Sequence, residues 1–114
     1  MVADDEAAIV RMVQVRLEKL GYTVLTAQNG REALESIRAN MPDYVVLDIM
    51  MPIMDGFEVL EEVKNDPALA SVKVMVLTTK AEKTDYQRGF EAGADGYVVK
   101  PFDMEQILNF VSGQ

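Results

Sequence analysis

The stretch that decides the fold is Tyr44-Val45-Val46-Leu47-Asp48-Ile49-Met50-Met51-Pro52-Ile53-Met54-Asp55-Gly56. Its apolar run ends at a carboxylate, Asp48, after which Met-Pro and then Asp-Gly break the pattern. A short apolar run between such breakers is typical of a strand buried on both faces, as in a parallel sheet covered by helices. Asp48 would then lie at the carboxyl end of this strand, where open α/β sheets bind their ligands. The alternative is an aspartate that only caps the following turn.

Composition bounds the possible functions. The chain has 114 residues, enough for one domain with its own core. It contains no Cys and no His, so any chemistry must use carboxylates, hydroxyls, Lys or a hard cation. The 11 basic and 19 acidic residues give a net charge of −8, which disfavours direct binding of nucleic acid or anionic membranes. Without a long apolar run or a secretory signal, we expect a soluble cytoplasmic protein with no membrane insertion.

Strand-like and helix-like segments alternate five times along the chain. The predicted strands are Met1–Asp4, Tyr22–Thr26, Tyr44–Asp48, Val72–Thr78 and Gly96–Lys100. The predicted helices are Glu6–Leu20, Arg31–Asn40, Phe57–Asn65, Glu82–Ala92 and Met104–Val111. In the first helix, the residues expected to face the core are Ile9, Met12, Val13, Leu17 and Leu20. This alternation with short connections predicts an α/β fold, a parallel sheet with helices on both faces.

Polar side chains stand at the carboxyl ends of four predicted strands. They are Asp4 and Asp5 after the first strand, Asp48 after the third, Thr78 after the fourth and Lys100 after the fifth. These ends share one edge of a parallel sheet, so the side chains can converge. Crowded carboxylates repel one another unless a cation or a proton compensates, and oxygen ligands with room for water favour Mg²⁺. Adjacent aspartates alone could merely complement a helix dipole, but the conjunction with a hydroxyl and a lysine favours a functional site.

These motifs resemble the response-regulator receiver domain of two-component signalling over essentially the whole chain. The segments that carry the resemblance are Val-Ala-Asp-Asp-Glu at 2–6, Gly-Tyr at 21–22, Asn-Gly-Arg-Glu-Ala-Leu at 29–34, Pro-Asp at 42–43, Leu-Asp-Ile-Met-Met-Pro-Ile-Met-Asp-Gly-Phe-Glu-Val-Leu at 47–60, Leu-Thr-Thr-Lys at 77–80 and Gly-Ala-Asp-Gly-Tyr-Val-Val-Lys-Pro-Phe at 93–102. The resemblance implies one receiver domain over 1–114, similar to single-domain chemotaxis regulators. It implies a flavodoxin-like, doubly wound sheet of order 2-1-3-4-5 with five helices.

The resemblance also implies a phosphoryl acceptor and a metal site. Asp48 would be the phosphoacceptor. Asp5, Asp48 and the backbone carbonyl of Met50 would bind Mg²⁺ directly, with Mn²⁺ as a substitute, and Asp4 would bind it through a water molecule.

Four further residues receive roles from the same resemblance. Lys100 would pair with a phosphoryl oxygen, and Thr78 would be the switch hydroxyl. Tyr97 would be the aromatic that turns inward on activation, although an isolated Tyr at such a place is more often a half-exposed strand residue. Lys100 and Pro101 would be joined by a cis peptide bond.

The implied function is a signalling switch. It would accept a phosphoryl group from a sensor histidine kinase or a phosphotransfer protein and change its contact with a downstream protein or output domain. It would not be a classical enzyme, and its reactions would be self-phosphorylation from a phosphodonor and slow autodephosphorylation, since neither Met50 nor Lys80 can act as a base for the hydrolytic water. The alternative is that both side chains point into solvent and have no effect on the lifetime of the phosphorylated form. No Lys or Arg follows Lys100 to support a charge-paired dimer, so the unphosphorylated chain is expected to be a monomer.

The sequence leaves three alternatives open. The chain could be an excised receiver of a larger regulator, and its three residues before Asp4 suggest a shortened amino terminus. It could be a Mg²⁺-dependent phosphatase with an aspartyl nucleophile, although such enzymes usually carry a second Asp where Met50 stands. It could also be a binding scaffold that no longer accepts phosphate, which the retained site residues argue against.

Overall fold

A computed structural model of the chain describes residues 1–78 and 91–112. Within that part, five parallel strands form one sheet in the order β2-β1-β3-β4-β5, which confirms the predicted fold and strand order. The strands are β1 (Val2–Ala3), β2 (Thr26–Ala27), β3 (Tyr44–Asp48), β4 (Lys73–Thr78) and β5 (Gly96–Val99). The helices are α1 (Ala7–Lys19), α2 (Gly30–Asn40), α3 (Gly56–Asn65) and α4 (Met104–Val111), with a 3-10 turn at Pro67–Leu69. The predicted helix at 82–92 falls, except for its last two residues, outside the described residues.

Each face of the sheet is covered by one apolar layer. Alternate residues of β3 supply both layers: Val45 and Leu47 pack with residues of α2 and α3, whereas Val46 packs with residues of α1 and α4. The side chains of Val45, Val46 and Leu47 are at most 1% exposed. The central strand is therefore buried on both faces, as its apolar run predicts, and its end presents Asp48 at the carboxyl edge of the sheet.

β2 is the element that differs most from the prediction. It was predicted at Tyr22–Thr26 but spans Thr26–Ala27, four residues later at its start. The physical reason lies in its neighbour: β1 pairs with β2 only through Val2 with Thr26 and Ala3 with Ala27. Of residues 22–25, which have β-forming side chains, Leu25 bonds to β1 through its carbonyl oxygen, which accepts from the Val2 N–H at 2.8 Å, but β1 begins at Val2 and offers no backbone to residues 22–24. The other described element ends agree with the prediction to within one residue.

The buried side of α1 is narrower than predicted. Val10, Val13 and Leu17 form its buried stripe, whereas Met12 is 48% exposed and Leu20 is 57% exposed. Met12 precedes Val13 by one residue and is thus rotated by about 100° away from the stripe. Leu20 is the residue that caps the carboxyl end of the helix and lies beyond its last buried turn. Of the helices described, none is long and apolar enough to cross a membrane.

Candidate functional site

Asp48 lies at the end of β3 and is only 2% exposed. The backbone N–H of Met50 donates to its Oδ1 at 3.2 Å. The loop after the strand then folds back, since the N–H of Gly56 donates to the carbonyl oxygen of Ile49 at 2.9 Å. A Cβ at position 56 would overlap the backbone carbonyl of Asp48, so glycine is required for this close approach. The Asp-Gly pair thus fixes the loop tightly against the strand that carries the carboxylate.

Lys100 joins the acidic residues into one site. Its Nζ lies 2.8 Å from Oδ2 of Asp4 and 3.5 Å from Oδ2 of Asp48, and these three side chains are at most 8% exposed. The same Nζ lies 3.3 Å from Oε1 of Glu6. The backbone N–H of Lys100 donates to the carbonyl of Thr78 at 2.7 Å, which holds the end of β5 against β4. The structure therefore brings Asp4, Asp48 and Lys100 together from three different strand ends.

Thr78 lies on β4, the strand next to β3, and Tyr97 lies on β5, the strand beyond it. Thr78 is fully buried at the end of β4. Leu77, the residue before it, pairs with Asp48, so Thr78 lies one residue beyond Asp48 toward the carboxyl edge of the sheet. Tyr97 is half-buried on β5 and packs against the core layer of α2 and α3. The Lys100–Pro101 peptide bond is cis. Lys80 lies outside the described residues.

A group of three carboxylates adjoins the lysine. Oxygens of Asp4, Asp5 and Glu6 all lie within 4.8 Å of one another. Asp4 is buried and accepts a hydrogen bond from the Glu6 backbone N–H at 2.9 Å, whereas Asp5 and Glu6 are exposed. The sequence pattern does not single out Glu6 as a site residue, because Glu6 stands at the predicted start of a helix. The available signal was a third acid two residues beyond Asp4.

The electrostatics of the site leave an excess of negative charge. Burial raises the pKa of Asp48 to about 7, and the charge of Asp4 acts in the same direction, against the opposing effects of Lys100 and the Met50 N–H. Burial opposes the charge of Lys100, but its hydrogen bond to Asp4 and the charges of Asp48 and Asp4 outweigh that effect and raise its pKa. One ammonium group thus faces two buried carboxylates and a nearby exposed one. Such a site favours a bound proton or cation.

Comparison with known proteins gives a consistent result. Residues 1–112 match the family model of the response regulator receiver domain. The chain is 43% identical over 107 residues to the probable transcriptional regulator ycf27 of Guillardia theta, covering 94% of this chain and 41% of the relative. It is 40% identical over 107 residues to the alkaline phosphatase synthesis transcriptional regulatory protein PhoP of Bacillus subtilis, covering 94% of this chain and 44% of the relative. The chain thus spans about two fifths of the length of these curated relatives.

Solved structures match over almost the whole chain. The chemotaxis response regulator CheY4 of Vibrio cholerae superposes with a TM-score of 0.89 at 35% identity, covering 98% of this chain and 93% of that one. The receiver domain of the Francisella response regulator 1452 also gives a TM-score of 0.89, at 30% identity, covering 97% of this chain and 90% of that one. The similarity therefore includes both the sequence and the architecture of the sheet.

Proposed function

This chain belongs to the response regulator receiver domain family, and from that premise we propose that residues 1–114 form a single receiver domain that is switched by phosphorylation of Asp48. The donor is a sensor histidine kinase or a phosphotransfer protein. The output is a changed contact with a downstream protein or output domain. Because the curated relatives are more than twice as long as this chain, the proposal concerns the receiver alone.

One observation carries the proposal. Lys100 lies within 2.8 Å of Asp4 and 3.5 Å of Asp48 at the carboxyl edge of the sheet, where the carboxylate of Asp5 is exposed to solvent. A nucleophilic carboxylate, a cation beside it and further acidic ligands are the components that phosphoryl transfer to an aspartate requires. The excess negative charge supports the same interpretation, because a bound divalent cation would offset most of it.

The donor set fits Mg²⁺. All of its candidate ligands are oxygens, which are the atoms that this hard ion prefers. We propose Asp5, Asp48 and the backbone carbonyl of Met50 as direct ligands, and Asp4 as a ligand through water. When bound, the ion neutralises negative charge on the carboxylates and on the incoming phosphoryl group.

The residues of this chain would carry the transfer by position and charge. An oxygen of the ionised Asp48 attacks phosphorus, and the bond from phosphorus to the donor atom breaks, with its electron pair leaving on the donor. The product is an acyl phosphate on Asp48. Lys100 then exchanges part of its contact with Asp48 for a phosphoryl oxygen, while its 2.8 Å ion pair with Asp4 keeps the ammonium in place.

The signal would be transmitted from Asp48 through Thr78 on β4 to Tyr97 on β5. A phosphoryl group on Asp48 adds charge and acceptor oxygens near the buried Thr78. The hydroxyl of Thr78 can donate a hydrogen bond to one of these oxygens. Movement of Thr78 toward Asp48 would leave space that the half-buried Tyr97 can fill. Tyr97 would then shift from partial exposure to burial, which changes the surface offered to a partner.

The proposal is tested by intact mass after incubation with a small phosphodonor, such as acetyl phosphate, and Mg²⁺. The expected result is one added phosphoryl group per chain. No phosphoryl group should be added when a chelator is present before the phosphodonor, or when Asp48→Asn replaces the parent. Asp43→Asn is the matched control, because Asp43 is an exposed carboxylate just before the other end of β3. Continuous release of phosphate with no phosphorylated chain would instead favour a phosphatase, and equal uptake by Asp48→Asn would refute the assignment.

A further inference from the structure

Glu6 is the third carboxylate that contacts Lys100, and it lies on the exposed side of the site. Its Oε1 is 3.3 Å from the Nζ of Lys100, which is also 2.8 Å from Asp4 and 3.5 Å from Asp48. The side chain of Glu6 is 58% exposed, whereas those of the other three residues are at most 8% exposed. An ammonium group has three N–H donors, so each donor of Lys100 has one carboxylate within reach.

The backbone of Glu6 is held on both sides by hydrogen bonds. Its N–H donates to Oδ1 of Asp4 at 2.9 Å, while the other carboxylate oxygen of Asp4 contacts Lys100. Its carbonyl oxygen accepts from the N–H groups of Ile9 and Val10 at 3.0 and 3.2 Å, which starts α1. Asp4, Glu6 and Lys100 therefore form a closed ring of contacts, in which the exposed Glu6 side chain makes the last one.

The needs of helix α1 do not explain a glutamate at this position. Glu6 is the N-cap of α1, and its side chain makes no capping hydrogen bond. Ser, Thr, Asn and Asp are preferred at an N-cap, because their short side chains reach the N–H groups of the first turn. A carboxylate there also interacts favourably with the helix dipole, but aspartate would do so and cap the helix as well. What glutamate adds is length, and that length brings its oxygen to Lys100.

The direction of the Lys100 ammonium determines how well it can contact a phosphoryl oxygen. Of its three contacts, the one with Asp48 is the longest, and a phosphoryl group on Asp48 would replace it. A contact with Asp4 alone would let the ammonium pivot about the Asp4 oxygen. A second contact, with Glu6, fixes the direction of the remaining N–H donor. Donors that are held in the productive direction before the reaction stabilise its transition state without the cost of reorganisation.

We propose that Glu6 is a positioning residue for phosphoryl transfer, which holds the Lys100 ammonium so that one N–H donor points toward Asp48. This inference rests on the proposed function. Two other roles would give Glu6 an effect through its charge alone. The charge could support the amino terminus of α1, or it could repel an anionic phosphodonor.

Three substitutions of Glu6 distinguish these roles. Glu6→Ala removes both the contact and the charge. Glu6→Gln removes the charge but keeps an oxygen that can accept from Lys100. Glu6→Asp keeps the charge and can cap α1, but its side chain is one methylene too short for the contact. Glu6→Asp should therefore unfold at a higher urea concentration than the parent, while losing the positioning effect. Glu18→Ala is the control, because Glu18 is an exposed glutamate of the same helix.

The rate of phosphorylation by acetyl phosphate is measured by intact mass, at Mg²⁺ concentrations that saturate each variant. Saturation removes any effect of Glu6 on the affinity for the ion, since carboxylate oxygens of Glu6 and Asp5 lie within 4.8 Å of each other. Glu6→Ala and Glu6→Asp should slow phosphorylation by about fivefold, the upper end for one partly exposed ion pair. Glu6→Gln should remain close to the parent rate, and Glu18→Ala should equal the parent.

Four results would overturn the positioning role. They are a parent rate in Glu6→Ala or Glu6→Asp, a loss in Glu6→Gln as large as in Glu6→Ala, any Glu6 variant faster than the parent, and an equal loss in Glu18→Ala. An equal loss in Glu6→Gln would assign the effect to charge, and faster variants would assign it to repulsion of the phosphodonor. A parent that acetyl phosphate cannot phosphorylate would refute the proposed function instead.

Discussion

Replacing Asp48 with asparagine is expected to stabilise the metal-free protein at pH 8. Burial raises the pKa of this carboxyl group from 3.8 to about 7. At ~1.4 kcal/mol per pKa unit, keeping it ionised in the folded protein costs about 4 kcal/mol. The asparagine amide retains an oxygen for the Met50 N–H, and Lys100 loses a contact at 3.5 Å but keeps Asp4 at 2.8 Å. That cost already includes the favourable effect of Lys100, but burying the asparagine amide, whose NH2 donors need partners, offsets part of the gain, so we expect the free energy of unfolding to rise by about 2 kcal/mol.

The stabilisation by Asp48→Asn should increase with pH. The pKa of Asp48 is higher in the folded protein than in the unfolded chain, so between about pH 4 and pH 7 the folded state binds the proton more tightly. The contribution of this group to stability is therefore present below about pH 4 and is lost as the pH rises toward about 7. Asp48→Asn has no such titration. The difference between variant and parent should be small in acid and reach its full value above neutral pH.

Urea unfolding in the presence of a chelator measures this difference. The parent and Asp48→Asn are compared at pH 5 and at pH 8, with Glu35→Gln as a control for loss of an exposed carboxylate, on α2. The control should change little at either pH. A variant that is no more stable than the parent at pH 8, or a gain of equal size at both pH values, would refute the reasoning that a buried, ionised carboxylate destabilises the metal-free site.

Three further predictions concern the metal, the lifetime of the signal and the oligomeric state. Mg²⁺ at about 100 times its Kd should stabilise the parent by about 2.7 kcal/mol, and thermal melting of Asp5→Asn should respond much less; a parent insensitive to the ion would contradict the metal site. Met50→Asn should shorten the lifetime of the phosphorylated form, because a polar side chain two residues after Asp48 can orient a water molecule that Met50 excludes; an unchanged lifetime would show that Met50 is no gate. Sedimentation at micromolar concentration should show an unphosphorylated monomer, given the charge of −8 and the lack of basic residues after Lys100; a dimer without phosphodonor would be the contrary result.

The central part of the fold could be predicted because its signals are local and strong. The apolar run at Tyr44–Asp48 ends at breakers, and the structure has a strand with those bounds. The parallel order follows from alternation of strands and helices, since parallel neighbours require crossovers. Asp4, Asp48 and Lys100 meet because all three follow strands that share one edge. Here sequence position alone determines spatial proximity.

The remaining features depend on contacts that no local pattern contains. The length of β2 is set by what β1 offers for pairing, and not by the side chains of residues 22–25. Met12 fits a helical period but falls outside the buried stripe of α1. Glu6 meets Lys100 across a sequence separation of 94 residues. Ile53 has a positive φ, which its β-branched residue type disfavours, because the loop is anchored on both sides of it.

Location of the phosphoryl group tests the central claim most directly. After incubation with acetyl phosphate and Mg²⁺, borohydride reduces an aspartyl phosphate to homoserine, and peptide mass spectrometry then identifies the modified residue. The account predicts homoserine at position 48 alone, in an amount equal to the phosphate taken up. Modification at Asp4, Asp5 or Asp55, or phosphate uptake with position 48 unmodified, would contradict it.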